Sequence, residues 1–208
     1  MTEPTFSLIS GTGGNHDAIP IVLAEEETWQ DWRAGAGSYT NTWLDSVQFL
    51  PKAGEICLIP RPDGKLDRIV VGAGKAPDLW SLARLPFQLP QGTYVLDGRC
   101  PDVTANGGLS LGWALGAYQF TRYKEARRPP AQLVVEDEDV LSEARRLASA
   151  TYLVRDLINT PANDMGPSEL AMVAEEIAGV GGAAMTVISG EDLIQQGYPT
   201  IFAVGQGS

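Results

Sequence analysis

The chain has 208 residues, 44% hydrophobic and 20% charged, enough for one generous domain or for one domain plus part of another, and far from disorder-prone composition. Twenty-six acids against fifteen bases leave a formal charge of -11, which disfavours the clustered cationic surface that nucleic acids reward. The N-terminus MTEPTFSLIS has no basic stretch ahead of an apolar one, and no apolar run approaches the ~20 residues needed to span a bilayer. The expectation is a soluble, cytoplasmic protein with no membrane partner.

The first ~130 residues alternate strand-like and helix-like patches, the pattern of an α/β layer fold. Gly11 to Asp17 is a polar, glycine-rich loop that carries His16, the only histidine. Ile19 to Leu23 reads as a strand, followed by Glu25, Glu26 and Glu27, which suit the positive end of a helix through Trp29 and Trp32. Glu55 to Ile59 and Arg68 to Val71 are two further strands. The connector between them holds two prolines and an Asp-Gly pair, which is turn chemistry. Thr93 to Leu96 is a fourth strand.

Gly107 to Arg122 reads as a helix rich in small residues: Gly108, Gly112, Ala114, Gly116 and Ala117. Each interior glycine costs a helix about 1 kcal/mol, a cost tolerated where a neighbouring element packs closely on that face. Arg122, Lys124, Arg127 and Arg128 form the richest basic stretch, read as a solvated helix end with an anion patch as the alternative. Gln132 to Val135 is another strand. Glu136 to Asp139 then lead a helix in which Val140, Ala144, Leu147, Thr151, Val154 and Ile158 share one face. Beyond Pro161, Gly166–Pro167 opens a helix through Ile177 that glycines end. Ala184 to Ile188 reads as a strand, Glu191 to Gln196 as a short helix, and Thr200 to Val204 as a strand. This is the opening of a second α/β unit.

Chemistry-bearing motifs are few. Gly72, Gly74 and Lys75 follow a strand and invite a nucleotide reading, but Pro77 stands where a dinucleotide fingerprint needs its third glycine. A phosphate loop would need glycine and Ser or Thr where Ile69 and Ala76 stand. The three residues remain a weak candidate for anion or ligand binding, since helix N-termini bind anions without a full motif. No G-x-S-x-G elbow opposes His16, and Cys57 and Cys100, the two cysteines, form neither a disulfide framework nor a zinc pattern. Asp156, Asp164, Glu169, Glu175, Glu176, Glu191 and Asp192 sit at helix starts or exteriors in this reading. Residue chemistry alone yields no catalytic residue and no metal ligand.

Arg155-Asp-Leu-Ile-Asn-Thr-Pro-Ala-Asn163, Pro167-Ser-Glu-Leu170, Val187-Ile-Ser-Gly-Glu-Asp-Leu193 and Ala203-Val-Gly-Gln-Gly-Ser208 resemble, in order and spacing, the leucyl aminopeptidase (cytosol aminopeptidase) family. Leu115 to Lys124 looks like the helix closing that family's N-terminal domain, and the resemblance is specific from about Leu109 onward. It implies a three-layer α/β/α, macro-domain-like N-terminal domain over 1–130. A connecting strand and helix over 131–160 and an incomplete start of a second α/β domain, the catalytic one, over 161–208 complete the expected organisation. It also implies removal of N-terminal residues from peptides by two divalent metals, zinc or manganese, and hexameric assembly. The family's metal ligands follow the Gly-Gln-Gly-Ser segment, so the resemblance carries no catalytic or metal residue onto these 208 positions, and the chain alone is expected to be inactive. Two alternatives stand beside this: a module binding a nucleotide diphosphate such as ADP-ribose near Gly72–Lys75, and DNA binding by the N-terminal domain, against which the charge speaks.

Overall fold

A computed structural model describes residues 6–13, 17–98, 103–126 and 128–207. By backbone contacts the chain divides into two compact units, Met1–Asp156 and Leu157–Ser208. His16, Cys100 and Arg127 lie outside the described residues.

The first unit is built on one six-stranded sheet. Its strands are β1 (Leu8–Ser10), β2 (Ile19–Glu25), β3 (Ile56–Pro60), β4 (Leu66–Gly74), β5 (Thr93–Leu96) and β6 (Gln132–Val135), in the order β1-β6-β5-β2-β4-β3. All neighbours run parallel except β3, which pairs antiparallel with β4 at one margin. The Pro/Asp-Gly connector makes that hairpin: Arg61 N–H donates to Lys65 O at 2.6 Å, and Lys65 N–H to Asp63 Oδ1 at 3.0 Å. β6 lies between β1 and β5 and is an interior strand of the sheet.

Both faces are covered, which explains why β4 is apolar without alternation. Ile69 and Val71 point to one core with Leu8, Ile21, Tyr94 and Leu133, while Val70 points to the other with Val22, Cys57 and Ile59. Ile69, Val70 and Val71 are all fully buried, each contributing roughly 1.5–3 kcal/mol by area. Over the second face lie α1 (Trp29–Gly35) and α2 (Ser38–Ser46), through Trp29 and Leu44. Arg33 ties them together, with Nε on Asn41 Oδ1 at 2.9 Å and a guanidinium nitrogen on Asp45 at 2.7 Å. Over the first face lie α3 (Leu85–Gln88), α4 (Val103–Gly116) and α5 (Glu138–Asn159), through Leu85, Leu109, Trp113, Leu141, Ala144 and Ala148. The result is the expected three-layer α/β/α order.

α4 ends at Gly116 instead of running to Arg122, so the basic stretch is not a helix end. Arg128 instead directs its guanidinium onto the carbonyls of Leu89, at 3.0 Å, and Phe87, satisfying acceptors that α3 leaves at its C-terminus. Two of the small residues of α4, Gly112 and Gly116, do face a neighbour, whereas Gly108 does not. A Cβ on Gly112 would fall 2.9 Å from the Leu79 carbonyl carbon, and one on Gly116 2.9 Å from Ala83 Cα. α5 begins as its acids suggest, with Asp137 Oδ1 accepting from the N–H groups of Asp139 at 2.9 Å and Val140 at 3.1 Å.

The second unit contains α6 (Pro167–Gly181), α7 (Asp192–Gln195) and α8 (Pro199–Gly205). α6 opens with proline in its first turn and with Glu169 reaching back to the Gly166 N–H at 3.0 Å. It closes on Gly182 in the left-handed conformation, φ 65°. The two strands read here are corrected. Residues 184–188 form no regular element, and 200–204 lie within α8. A strand satisfies its backbone only against a neighbour, whereas a helix satisfies its own; among the described residues of this unit there is no strand to pair with. Accordingly no residue of α6, α7 or α8 is buried, and Leu170, Met172, Ile177 and Val180 stand open to solvent.

Candidate functional site

Gly72, Gly74 and Lys75 lie at the C-terminal end of β4, the end of a parallel sheet where ligands commonly bind. The glycines answer to a different neighbour. The segment 51–55 runs back over the strand so closely that a Cβ on Gly72 would sit 2.9 Å from Lys52 N and closer still to its carbonyl. The Gly72 N–H donates to Glu55 O at 2.8 Å and the Gly74 N–H to Pro51 O at 2.9 Å, while Gly74 O accepts from Glu26 N–H at 2.7 Å. Gly74 adopts φ 67°, a conformation costly for other residues. These two amides are therefore committed to backbone pairing, and Lys75, exposed, is the group left to meet an anion. Beside them a cavity of about 250 Å³ is bordered by Ala73, Asp78, Trp80 and Arg84, below the usual 300–1,000 Å³ of ligand pockets.

A larger cavity, about 860 Å³, opens at the opposite, N-terminal ends of β1, β5 and β6, lined by Ser7, Gln91, Thr93, Gln132, Arg145 and Ser149 among others. Among the described residues that line it Arg145 is the one cationic side chain, and it already donates to Leu8 O at 2.7 Å.

A polar clasp joins the end of α4 to the last turns of α5. Tyr152 OH donates to Ala114 O at 2.5 Å, which also accepts from Ala117 N–H at 3.0 Å, and Arg155 donates to Leu115 O at 2.7 Å, so α5 side chains bind carbonyls at the end of α4. Tyr118 OH donates to Asp156 at 2.7 Å, its ring lies edge-on to Tyr152 at 4.8 Å, and the Arg155 guanidinium sits 5.2 Å from its centroid. Burial pushes the Tyr152 hydroxyl well above its usual range, with the Arg155 charge opposing. Burial likewise raises the Cys57 thiol, against a contact from Trp43. In sequence, Arg155-Asp156 and Tyr118 both fall within family-like stretches, which say nothing of a role, and Tyr152 falls in none.

Asp156 belongs to the clasp and Glu169 to the α6 start, and among the described residues no three His, Cys, Asp or Glu side chains are placed to hold a metal ion. No described helix is long and apolar enough to cross a membrane.

Comparison with known proteins now locates this architecture. Residues 19–136 match the M17 aminopeptidase N-terminal domain, and residues 152–208 match the cytosol aminopeptidase family catalytic domain. The chain is 31% identical to a probable cytosol aminopeptidase of Rhodococcus opacus over 99% of its own length and 46% of that protein. Its fold superposes on the crystal structure of the cytosol aminopeptidase from Coxiella burnetii with a TM-score of 0.79 at 31% identity, covering 90% of this chain and 40% of that one. The bottromycin maturation enzyme BotP, solved in complex with Mn, shares the fold at a TM-score of 0.65 and 23% identity, over 86% of this chain and 40% of that one. The chain thus spans less than half the length of these proteins, and by the match of both domain models, in order, it belongs to the M17 cytosol aminopeptidase family.

Proposed function

We propose that these residues are the N-terminal part of a cytoplasmic, metal-dependent leucyl aminopeptidase: a macro-like domain, a connecting helix in α5, and the first stretch of the catalytic domain. The observation that carries this is the tiling of the chain by the two family models, 19–136 then 152–208, on a fold that superposes on a cytosol aminopeptidase over 90% of its length. The substrates would be peptides bearing a free N-terminal amine, and the whole protein would assemble as a hexamer.

In such an enzyme two divalent ions, zinc or manganese, would supply Lewis-acid polarisation of the scissile carbonyl and a lowered pKa for the attacking water. The described residues do not fit that centre: their carboxylates serve helix starts, the α4–α5 clasp and solvent. No step of the hydrolysis is therefore derived from them. Their role in the whole enzyme is to pack, to shape the assembly or to control access. Equilibrium dialysis of the 208-residue chain against manganese and zinc tests the division. No stoichiometric uptake is expected; two equivalents bound per chain would place the centre here and overturn it.

A further inference from the structure

Among the described residues both margins of the sheet present a strand edge, and an exposed edge is a template for pairing with another chain. β3 is the more exposed to that hazard, since Ile56-Cys-Leu-Ile-Pro60 carries no charge. Its alternation is fixed by the Gly72 N–H on Glu55 O and the register Cys57↔Val70, so Ile56 and Leu58 turn their N–H and C=O groups to the open side. There the indole Nε1–H of Trp43, from α2, donates to Leu58 O at 3.1 Å. At the other margin Leu133 N–H donates to Ser7 O at 2.8 Å, which turns the Leu8 groups outward. Arg145, from α5, donates to Leu8 O at 2.7 Å. Two helices packed on opposite faces of the sheet thus supply the same contact, one at each edge.

We propose that Trp43 and Arg145 are edge guards that close β3 and β1 against strand addition, and that without Trp43 the β3 edge pairs antiparallel with β3 of a second copy of this chain. The geometry favours a second copy over other partners. An antiparallel pairing centred on Leu58 is self-complementary about a two-fold axis. It sets apolar Leu58, half-exposed, against its own counterpart with no like charges opposed. β1, three residues long against five in β3, offers the shorter template, so Arg145 is the second guard and Trp43 the first. Pro60 limits the pairing to the preceding residues, since it has no N–H to donate.

The test uses the 208-residue chain with Trp43→Phe, which keeps an aromatic ring but removes the donor, Arg145→Met, which keeps the stem, and both together. Light scattering after size exclusion should show the Trp43→Phe and double variants shifting toward twice the parent's mass. Hydrogen exchange should slow in the peptide covering 56–60, and adding Leu58→Lys should return the parent's mass. Should Trp43→Phe fail to fold, benzothienylalanine at position 43, which has the indole's shape and no N–H, replaces it. A natively folded variant with the parent's mass would overturn the proposal. So would a dimer without new protection at 56–60, or one that Leu58→Lys leaves intact.

Discussion

Replacing Gly112 by alanine sets two effects of opposite sign against each other. Alanine in a helix interior is favoured over glycine by about 1 kcal/mol. The new Cβ, however, would lie 2.9 Å from the Leu79 carbonyl carbon and overlap its oxygen, while the adjoining Trp113 and Ala114 are fully buried and leave α4 little room to shift. Overpacking of this kind costs typically 1–3 kcal/mol, and because the obstacle is backbone the upper part of that range applies. Gly112→Ala should therefore destabilise the first unit by about 1–2 kcal/mol. Gly108, one turn earlier, has nothing within 4 Å of its would-be Cβ, so Gly108→Ala should stabilise by up to ~1 kcal/mol. All five tryptophans, at 29, 32, 43, 80 and 113, lie in that unit, so their fluorescence during urea unfolding follows it alone. With a urea slope of roughly 1–3 kcal/mol per molar, the two midpoints should differ by about 1 M. Gly112→Ala as stable as Gly108→Ala would refute the close-packing explanation of the small-residue helix.

The Tyr152 hydroxyl, raised by burial, makes stability depend on alkaline pH. Below the ordinary tyrosine value of 10.0 both states are protonated; above it the unfolded chain loses the proton first, so stability falls as pH rises toward the folded value. Tyr152→Phe should remove that component, which has a limiting slope of about 1.4 kcal/mol per pH unit, at the cost of the Ala114 hydrogen bond at neutral pH; identical alkaline profiles of unfolding would contradict this. Because the Gly72 and Gly74 amides are committed to backbone carbonyls, calorimetric titration with ADP-ribose should give no binding heat, and a saturable isotherm abolished by Lys75→Ala would revive the ligand reading.

Much of this architecture is legible in sequence where the cause is local. Thr93–Leu96 and Gln132–Val135 are strands with the bounds their apolar runs give, and the long amphipathic stretch is α5, although the face it buries is Leu141, Ala144, Ala148 and Tyr152, while Val154 and Ile158 of the face read from sequence are exposed. β1 escapes notice because three residues hold no period, and α2 because SYTNTWLDS is mostly polar and gains its place through Arg33, Asn41 and Asp45. The strand pattern at 200–204 fails for the converse reason: apolar, β-branched residues suit a strand only where another strand lies alongside, and without one Pro199 leads a helix. The candidate site divides in the same way. Glycines at 72 and 74 are plain in the sequence, but their cause, the return of segment 51–55, is a tertiary contact that no local pattern encodes.

These residues match the family's N-terminal domain and part of its catalytic domain, and the proposed function expects them to hold no metal centre and to hydrolyse no peptide by themselves. Turnover of leucine p-nitroanilide by the purified 208-residue chain, with manganese added and a complete M17 aminopeptidase run alongside, measures this most directly. No release of nitroaniline above the metal-only background is expected. Turnover approaching that of the complete enzyme would contradict it.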